Sequence, residues 1–136
     1  MQNAFVDTNI LVYAADESLP INRKTQIARK LLLQRGLHLS VQVLNEFIVN
    51  ARNRKKLNLT AQEELDWIER WLMFPIQDMT AETFLDARLF HERYQVSHWD
   101  GLILAAAQKA KCQRLYSEDL QSGQFYDDIE VINPFI

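Results

Sequence analysis

The stretch Phe5-Val6-Asp7-Thr8-Asn9-Ile10-Leu11 decides the fold class of this 136-residue chain. A short apolar run, residues 4–6, ends in a carboxylate, and apolar residues then return at helical spacing. This pattern is typical of a buried parallel strand that leads directly into a helix. Because ligands of open α/β sheets bind outside the carboxyl ends of the strands, Asp7 is a candidate functional residue. The alternative is that Asp7, Thr8 or Asn9 only caps the helix.

Similar short apolar runs recur along the chain, separated by amphipathic stretches. The sequence predicts further strands at residues 37–39, 75–76, 114–116 and 130–132. It predicts helices over residues 10–15 and after Asn22, Ser40, Thr60, Thr80 and Ser97. Strands that alternate with helices predict an α/β fold, a three-layer α/β/α sandwich with a short, about five-stranded parallel sheet. Residues 1–136 are expected to form one domain.

Local signals refine two of these helices. Gly36 is predicted to end the second helix as a C-cap. Thr60 and Glu63 have the spacing of a capping box at the start of the fourth helix. That helix is expected to turn Leu65 and Leu72 inward, together with Ile68 and Trp71.

The composition is that of an ordinary globular protein, with 48% hydrophobic and 24% charged residues. Cys112 is the single cysteine, so an internal disulfide and a cysteine-based zinc site are excluded, and a reducing, cytoplasmic setting is expected. Cys112 itself is expected to be a small buried hydrophobic residue. The longest small and apolar run, residues 101–107, is far shorter than the roughly 20 residues that span a bilayer. No secretory signal is expected at the start of the chain, and no membrane association.

Charge is strongly segregated along the chain, although the net charge is only −3. Residues 21–60 hold nine lysines and arginines against one acid, whereas residues 61–136 hold six bases against fourteen acids. Such segregation indicates that a polyanion or an acidic partner meets the second quarter of the chain. The candidates for contact with the phosphates of such a polyanion are Arg52, Arg54, Lys55 and Lys56, although a solvated helix end explains them nearly as well.

Three further acids share the position of Asp7 at the ends of predicted elements. Glu46 lies on the early part of the third helix, Asp100 in the first turn of the sixth, and Asp119 just after a strand. Each has a structural alternative: a surface ion pair with Arg52 or Arg54, a capping-box acid, and a loop acid, respectively. Strand ends and helix starts nevertheless meet at one edge of a parallel sheet, which favours a shared site.

Carboxylates that lie within a few ångströms of one another require a cation to remain ionised. With oxygen donors and no histidine or cysteine cluster, that cation is expected to be Mg²⁺ or Mn²⁺. Such an ion beside a basic surface suits hydrolysis of phosphodiester bonds by a metal-activated water. Thr8, Asn9 and Ser117 are expected to orient the metal-binding carboxylates.

The remaining histidines and tryptophans give no comparable pattern. His38, His91 and His98 lack the spacing of metal ligands and are expected to be structural or surface residues. Trp67, Trp71 and Trp99 are expected in the core rather than as platforms for stacked bases.

Four motifs, in order, make the chain resemble a PIN domain, in particular the VapC-type ribonuclease toxins of toxin–antitoxin pairs. The motifs are residues 5–11, Ser40-Val41-Gln42-Val43-Leu44-Asn45-Glu46-Phe47, Ser97-His98-Trp99-Asp100 with residues 102–107, and Tyr116-Ser117-Glu118-Asp119-Leu120. They span essentially the whole chain.

The resemblance implies strand order 3-2-1-4-5, a Mg²⁺-dependent endoribonuclease, a homodimer and inhibition by a cognate antitoxin. The acidic quartet of the family falls on Asp7, Glu46, Asp100 and Asp119, and its polar helper on Ser117. Glu118 is the alternative acid beside Asp119. Two other functions stay open: a structure-specific DNA nuclease on the same acids, and a non-catalytic metal-binding interaction module such as a receiver domain. A receiver, however, has paired acids directly after the first strand, where this chain has Thr8 and Asn9.

Overall fold

A computed structural model describes residues 3–136 and shows a central sheet flanked by helices. Within these residues the six strands are β1 (Ala4–Val6), β2 (Leu37–Ser40), β3 (Ile76–Gln77), β4 (Arg114–Tyr116), β5 (Phe125–Tyr126) and β6 (Ile129–Ile132). The helices are α1 (Thr8–Ala14), α2 (Arg23–Leu31), α3 (Val41–Arg52), α4 (Ala61–Trp71), α5 (Ala81–Tyr94) and α6 (His98–Lys109).

The sheet has the order β3-β2-β1-β4-β6-β5. The five strands from β3 to β6 pair in parallel, and they reproduce the expected order 3-2-1-4-5 with β6 as the fifth predicted strand. The expected strand count was one too low, because β5 adds a short antiparallel edge strand to β6. The α/β class and the mostly parallel sheet are confirmed.

β1 lies at the centre of the sheet, and its position explains why it is apolar. Phe5 pairs with His38 of β2 on one side and with Leu115 of β4 on the other. Phe5, Val6 and Leu115 are fully buried. Burial on both faces requires a continuous apolar strand, and the chain meets polar surroundings only where β1 ends at Asp7.

Of three local predictions, one is confirmed, one is wrong and one holds in part. Thr60 and Glu63 form the complete capping box of α4. By contrast, α2 ends at Leu31, and Gly36, with φ +78°, lies in the turn before β2 rather than at the helix C-cap. The prediction for the inward face of α4 holds for Trp71, which is buried, and for Ile68, which packs against the core, but Leu65 and Leu72 are exposed. Trp67 is buried beside Trp71, and the two rings are stacked at 5.3 Å between centroids.

Helices α5 and α6 pack closely where α6 begins. A Cβ atom built on Gly101 would lie 2.6 Å from the backbone oxygen of Ala87, so this crossing has room only for glycine. Because Gly101 directly follows Asp100, the close approach fixes the position of the first turn of α6. Cys112 is buried near the end of the same helix, as expected. In the part of the chain described, no helix is both long and apolar enough to cross a membrane.

Candidate metal centre at the carboxyl edge of the sheet

Asp7 lies where β1 ends and is almost fully buried, with 3% of its surface exposed. One carboxylate oxygen accepts the backbone N–H of Thr8 at 2.7 Å, and the other accepts the Ser117 hydroxyl at 2.8 Å. Asp7 is the N-cap residue of α1, as the structural alternative expected. However, a typical N-cap side chain accepts from the second or third residue of the helix, whereas that of Asp7 accepts from the first. Capping alone therefore does not explain this carboxylate.

The surroundings of Asp7 favour its protonated form when no cation is present. The pKa of Asp7 is raised from 3.8 to about 7, chiefly by burial and also by the negative charges of Asp119 and Glu46. The hydrogen bonds from Ser117 and Thr8 act in the opposite direction. A carboxylate this buried, with acidic neighbours, is a group whose charge a bound cation would stabilise.

Glu46 extends the site from α3. Its carboxylate accepts the Thr8 hydroxyl at 3.0 Å and the Gln42 side-chain amide at 2.7 Å. The alternative expectation for Glu46 was a surface ion pair with Arg52 or Arg54. In the structure Arg52 instead pairs with Glu64 at 2.7 Å. Glu46 is thus held beside the N-terminus of α1, next to Asp7.

Asp119 approaches the same position from the loop after β4. Its carboxylate accepts the Asn9 side-chain amide at 3.1 Å, and its backbone N–H donates to the Ser117 hydroxyl oxygen at 3.1 Å. The neighbouring Glu118 points elsewhere, where it accepts from the Tyr13 hydroxyl at 2.5 Å and from Lys24 at 2.8 Å. Of the two adjacent acids, Asp119 is therefore the one bonded to the residues that surround Asp7.

Asp100 completes the cluster from the first turn of α6. Ser97 caps this helix by accepting the Asp100 backbone N–H at 3.1 Å. The reciprocal bond of a full capping box, from the Ser97 backbone to the Asp100 carboxylate, is absent from the described residues. Burial raises the pKa of Asp100, a hydrogen bond from Ser97 opposes this, and the charges of Asp119 and Glu46 raise it again.

The four acids come from distant parts of the sequence and lie at one edge of the sheet, where the charges of Glu46 and Asp119 act on both Asp7 and Asp100. Two cavities of about 530 Å³ and about 500 Å³ open beside them, and Glu46 and Asp119 line both. Among residues 3–136, no ion pair involves any of the four acids. The predicted helpers Thr8, Asn9 and Ser117 each bond to one of these carboxylates.

The donor chemistry fits a hard divalent cation, since carboxylate oxygens are the ligands that Mg²⁺ and Mn²⁺ prefer. Within residues 3–136, no three histidine, cysteine or acidic side chains already stand as a group that could hold a metal ion. Hydroxyl and amide donors hold the carboxylates instead. Metal binding would therefore draw these carboxylates closer together than they lie here.

The four basic candidates separate into two groups. Lys55 and Lys56 line the 530 Å³ cavity together with Glu46 and Asp119. Arg52 is held by Glu64, and Arg54 is exposed in the turn after α3. The cleft beside the acids thus has a basic wall made by two of the four predicted residues.

The sequence missed two neighbours of the acids, and one of its expectations was wrong. Gln42 is buried and donates both to Glu46 and to the backbone oxygen of Trp99, at 2.7 Å and 3.1 Å. Trp99 was expected in the core, but 65% of its surface is exposed, at the rim of the 500 Å³ cavity. Its position after Ser97 in the first helical turn, beside Asp100, was the signal that could have placed it there.

The histidines contact neither of the two cavities. His91 bonds through Nδ1 to the Val96 backbone oxygen at 2.6 Å. The His98 ring packs edge-on against Phe84 and Trp99. His38 is partly buried within β2, and burial lowers its pKa. These contacts agree with the structural roles expected for them.

The fold and the position of its acids define a doubly wound α/β protein with its candidate site at the carboxyl edge of the parallel sheet. The PIN domain model matches residues 4–126, and the chain therefore belongs to the PIN domain family. No curated protein matches the sequence significantly.

Solved structures of low sequence identity share this fold. The VapC20 toxin of Mycobacterium tuberculosis, described as cleaving the sarcin-ricin loop, is 18% identical, with a TM-score of 0.69 over 86% of this chain and 90% of that one. A toxin–antitoxin complex from Klebsiella pneumoniae contains a chain that is 21% identical, with a TM-score of 0.72 over 97% and 98%. In DNA-bound VapBC from Salmonella typhimurium, the matching chain is 16% identical, with a TM-score of 0.68 over 96% and 97%.

Proposed function

We propose that this protein is a Mg²⁺-dependent endoribonuclease and the toxin of a toxin–antitoxin pair. The observation that carries the proposal is the convergence of Asp7, Glu46, Asp100 and Asp119 at one sheet edge with no basic side chain paired to them among residues 3–136. Membership of the PIN domain family and the toxin structures of similar fold support it.

Asp7 and Asp100 would be the principal ligands of Mg²⁺ or Mn²⁺, and Glu46 and Asp119 would complete the pocket. When bound, such an ion lowers the pKa of a water molecule and stabilises charge on the departing oxygen. Thr8, Asn9 and Ser117 orient three of the carboxylates through the hydrogen bonds already present. The burial of Asp7 excludes water from its side of the site.

Cleavage of single-stranded RNA with and without EDTA tests the proposal. We expect cleavage with Mg²⁺ or Mn²⁺, none with EDTA, and none by Asp7→Asn or Asp100→Asn. Asp78→Asn, which changes an exposed acid outside the cluster, is the matched control and should cleave normally. Activity that survives chelation would contradict the metal mechanism. Preference for flapped DNA over RNA in competition would instead favour a DNA nuclease, and metal binding without cleavage would favour an interaction module.

The basic wall of the cleft would contact the phosphates of the RNA. Lys55→Ala combined with Lys56→Ala should weaken RNA binding. It should also reduce the slope of log K against log salt concentration by about 0.7 for each phosphate that the variant no longer neutralises. Arg54→Ala is the control, since Arg54 is exposed outside the cleft lining. If the double variant leaves the salt dependence of RNA binding unchanged, the two lysines are solvated surface residues that do not contact phosphates.

A cognate antitoxin would bind the apolar groove between α2 and α4, which has a volume of about 680 Å³. Leu33 and Met73 line it and are 84% and 86% exposed. Arg29 and Arg70 lie over the Trp67 ring at 5.9 Å and 4.5 Å, so the groove favours an acidic segment with apolar side chains. If a small DNA-binding protein is encoded beside this gene, it should inhibit cleavage. Leu33→Asp with Met73→Asp should abolish inhibition but retain cleavage.

A second copy of the chain would cover the outer face of α5, where Leu85 and Leu89 are exposed one helical turn apart. Analytical ultracentrifugation should give a dimer that Leu85→Lys with Leu89→Lys converts to a monomer. A wild-type monomer would contradict this part of the proposal.

The buried, unpaired Cys112 suits a reducing, cytoplasmic location for the protein.

A further inference from the structure

Trp99 is the one tryptophan of three whose ring lies in solvent, and it lies beside the acids. Trp67 and Trp71 are buried and stacked on each other in the core. The Trp99 backbone oxygen accepts a hydrogen bond from the Gln42 side chain, which holds the start of α6 in place. The ring therefore stands on a rigid base at the start of α6.

The cavity that Trp99 lines has the size and chemistry of a site for one nucleotide. It holds about 500 Å³, and Glu46, Asp100 and Asp119 form one side of it. Met79 and Trp99 supply an apolar surface, and Asn45 and Gln42 supply side-chain amides. Pockets of this volume that combine apolar walls with a few polar groups bind small organic ligands.

A second observation points to a ligand in this cavity. The Gln42 side chain is 5% exposed, and its amide nitrogen makes two hydrogen bonds, to Glu46 and to the Trp99 backbone. Its amide oxygen is buried and has no hydrogen-bond partner among residues 3–136. A buried acceptor without a donor is destabilising, and rotation of the Gln42 side chain towards the cavity would let an amino or imino group of a nucleobase satisfy it.

We propose that this cavity is a nucleobase subsite in which Trp99 stacks on the base next to the scissile phosphate of single-stranded RNA. The inference rests on the proposed nuclease function and deepens it. A phosphate held at the acids places its neighbouring base within one nucleotide of them, and this cavity adjoins the acids. Aromatic side chains bind unstacked bases of single-stranded RNA in this way. Gln42 and Asn45 then contact the edge of the base and bias which base is accepted.

The test uses the cleavage-inactive Asp7→Asn protein in full length, titrated with single-stranded oligouridine and with an abasic oligomer of the same length. We expect oligouridine to quench the fluorescence of Trp99. Trp99→Ala should weaken oligouridine binding on the order of ten-fold, Trp99→Phe should retain most of the affinity, and the abasic oligomer should bind both variants equally. Phe125→Ala removes an exposed aromatic ring outside this cavity and should leave binding unchanged.

Three outcomes would overturn the inference. The first is that the Asp7→Asn protein binds oligouridine equally well whether or not it also carries Trp99→Ala. RNA cleavage by the wild type would then still support the proposed function. Conversion of a dimer to a monomer by Trp99→Ala, with RNA affinity unchanged, would make the indole a contact between two copies. Failure of the wild type to cut RNA with any divalent metal would remove the proposed function, and the base subsite with it.

Discussion

Replacing Asp7 by asparagine is expected to stabilise the metal-free protein at pH 8, although it removes a proposed metal ligand. Burial raises the pKa of Asp7 from 3.8 to about 7, so the folded state holds the proton more tightly than the unfolded state. The stability that this contributes is fully present below about pH 4. It is lost as the pH rises towards 7, because the buried group must then ionise.

The size of the effect follows from that pKa difference. Each pKa unit corresponds to about 1.36 kcal/mol, so ionised Asp7 costs about 4 kcal/mol at pH 8. Asparagine is neutral and nearly the same shape, but it disturbs the hydrogen bond from Ser117, which costs about 1 kcal/mol. The net gain of about 3 kcal/mol corresponds to a rise in Tm of roughly 10 °C for a domain of this size.

Thermal unfolding in EDTA at pH 5 and pH 8 measures this gain. The wild type should lose stability between the two pH values, whereas Asp7→Asn should change much less. Asp78→Asn, at an exposed carboxyl, should follow the wild type. Adding Mg²⁺ at pH 8 should stabilise the wild type and leave Asp7→Asn nearly unaffected. A variant less stable than the wild type at pH 8 in EDTA would refute the reasoning and make Asp7 a structural cap.

Three further predictions concern the surroundings of the site. Gly101→Ala should destabilise the fold by about 1–3 kcal/mol, since its Cβ would meet the Ala87 backbone oxygen at 2.6 Å, and should lower cleavage more than stability alone explains. Ser117→Ala should raise the pKa of Asp7 further, so the acidic limb of the pH–rate profile should move to higher pH. The Cys112 thiol, with its pKa raised to about 12 by burial, should resist alkylation until the protein unfolds.

The parallel part of the sheet could be predicted because burial on two faces leaves a clear pattern. β1 is a continuous apolar run that ends at Asp7, and β4 buries Leu115 and Tyr116 before the polar Ser117. β5 was missed because two residues, Phe125 and Tyr126, are too few to give a pattern, and its pairing with β6 depends on the turn between them. The exposed Leu65 shows the same limit for helices, since the large Trp67 and Trp71 rings decided which face of α4 is buried.

Asp7, Asp100 and Asp119 could be predicted from their positions at element ends, because topology brings those ends together. Glu46 lies in the middle of α3 and joins them through its hydrogen bond from Thr8. Their hydrogen-bond partners could not be fully predicted. Gln42 faces Glu46 from the preceding turn of α3, and this contact depends on side-chain direction rather than on residue type. Likewise, the sequence favours Asp119 over Glu118 only through the family pattern and does not show where the Glu118 side chain points. Lys24, distant in sequence, forms the ion pair that turns Glu118 away.

The order in which the acids occur along the chain has a consequence for biosynthesis. Asp119 and its strand β4 come late in the sequence, and β4 is the strand that completes the pairing of central β1. A nascent polypeptide still emerging from the ribosome therefore carries an incomplete centre until Asp119 has been made. The nuclease proposed above would therefore remain inactive while most of its own length is being synthesised.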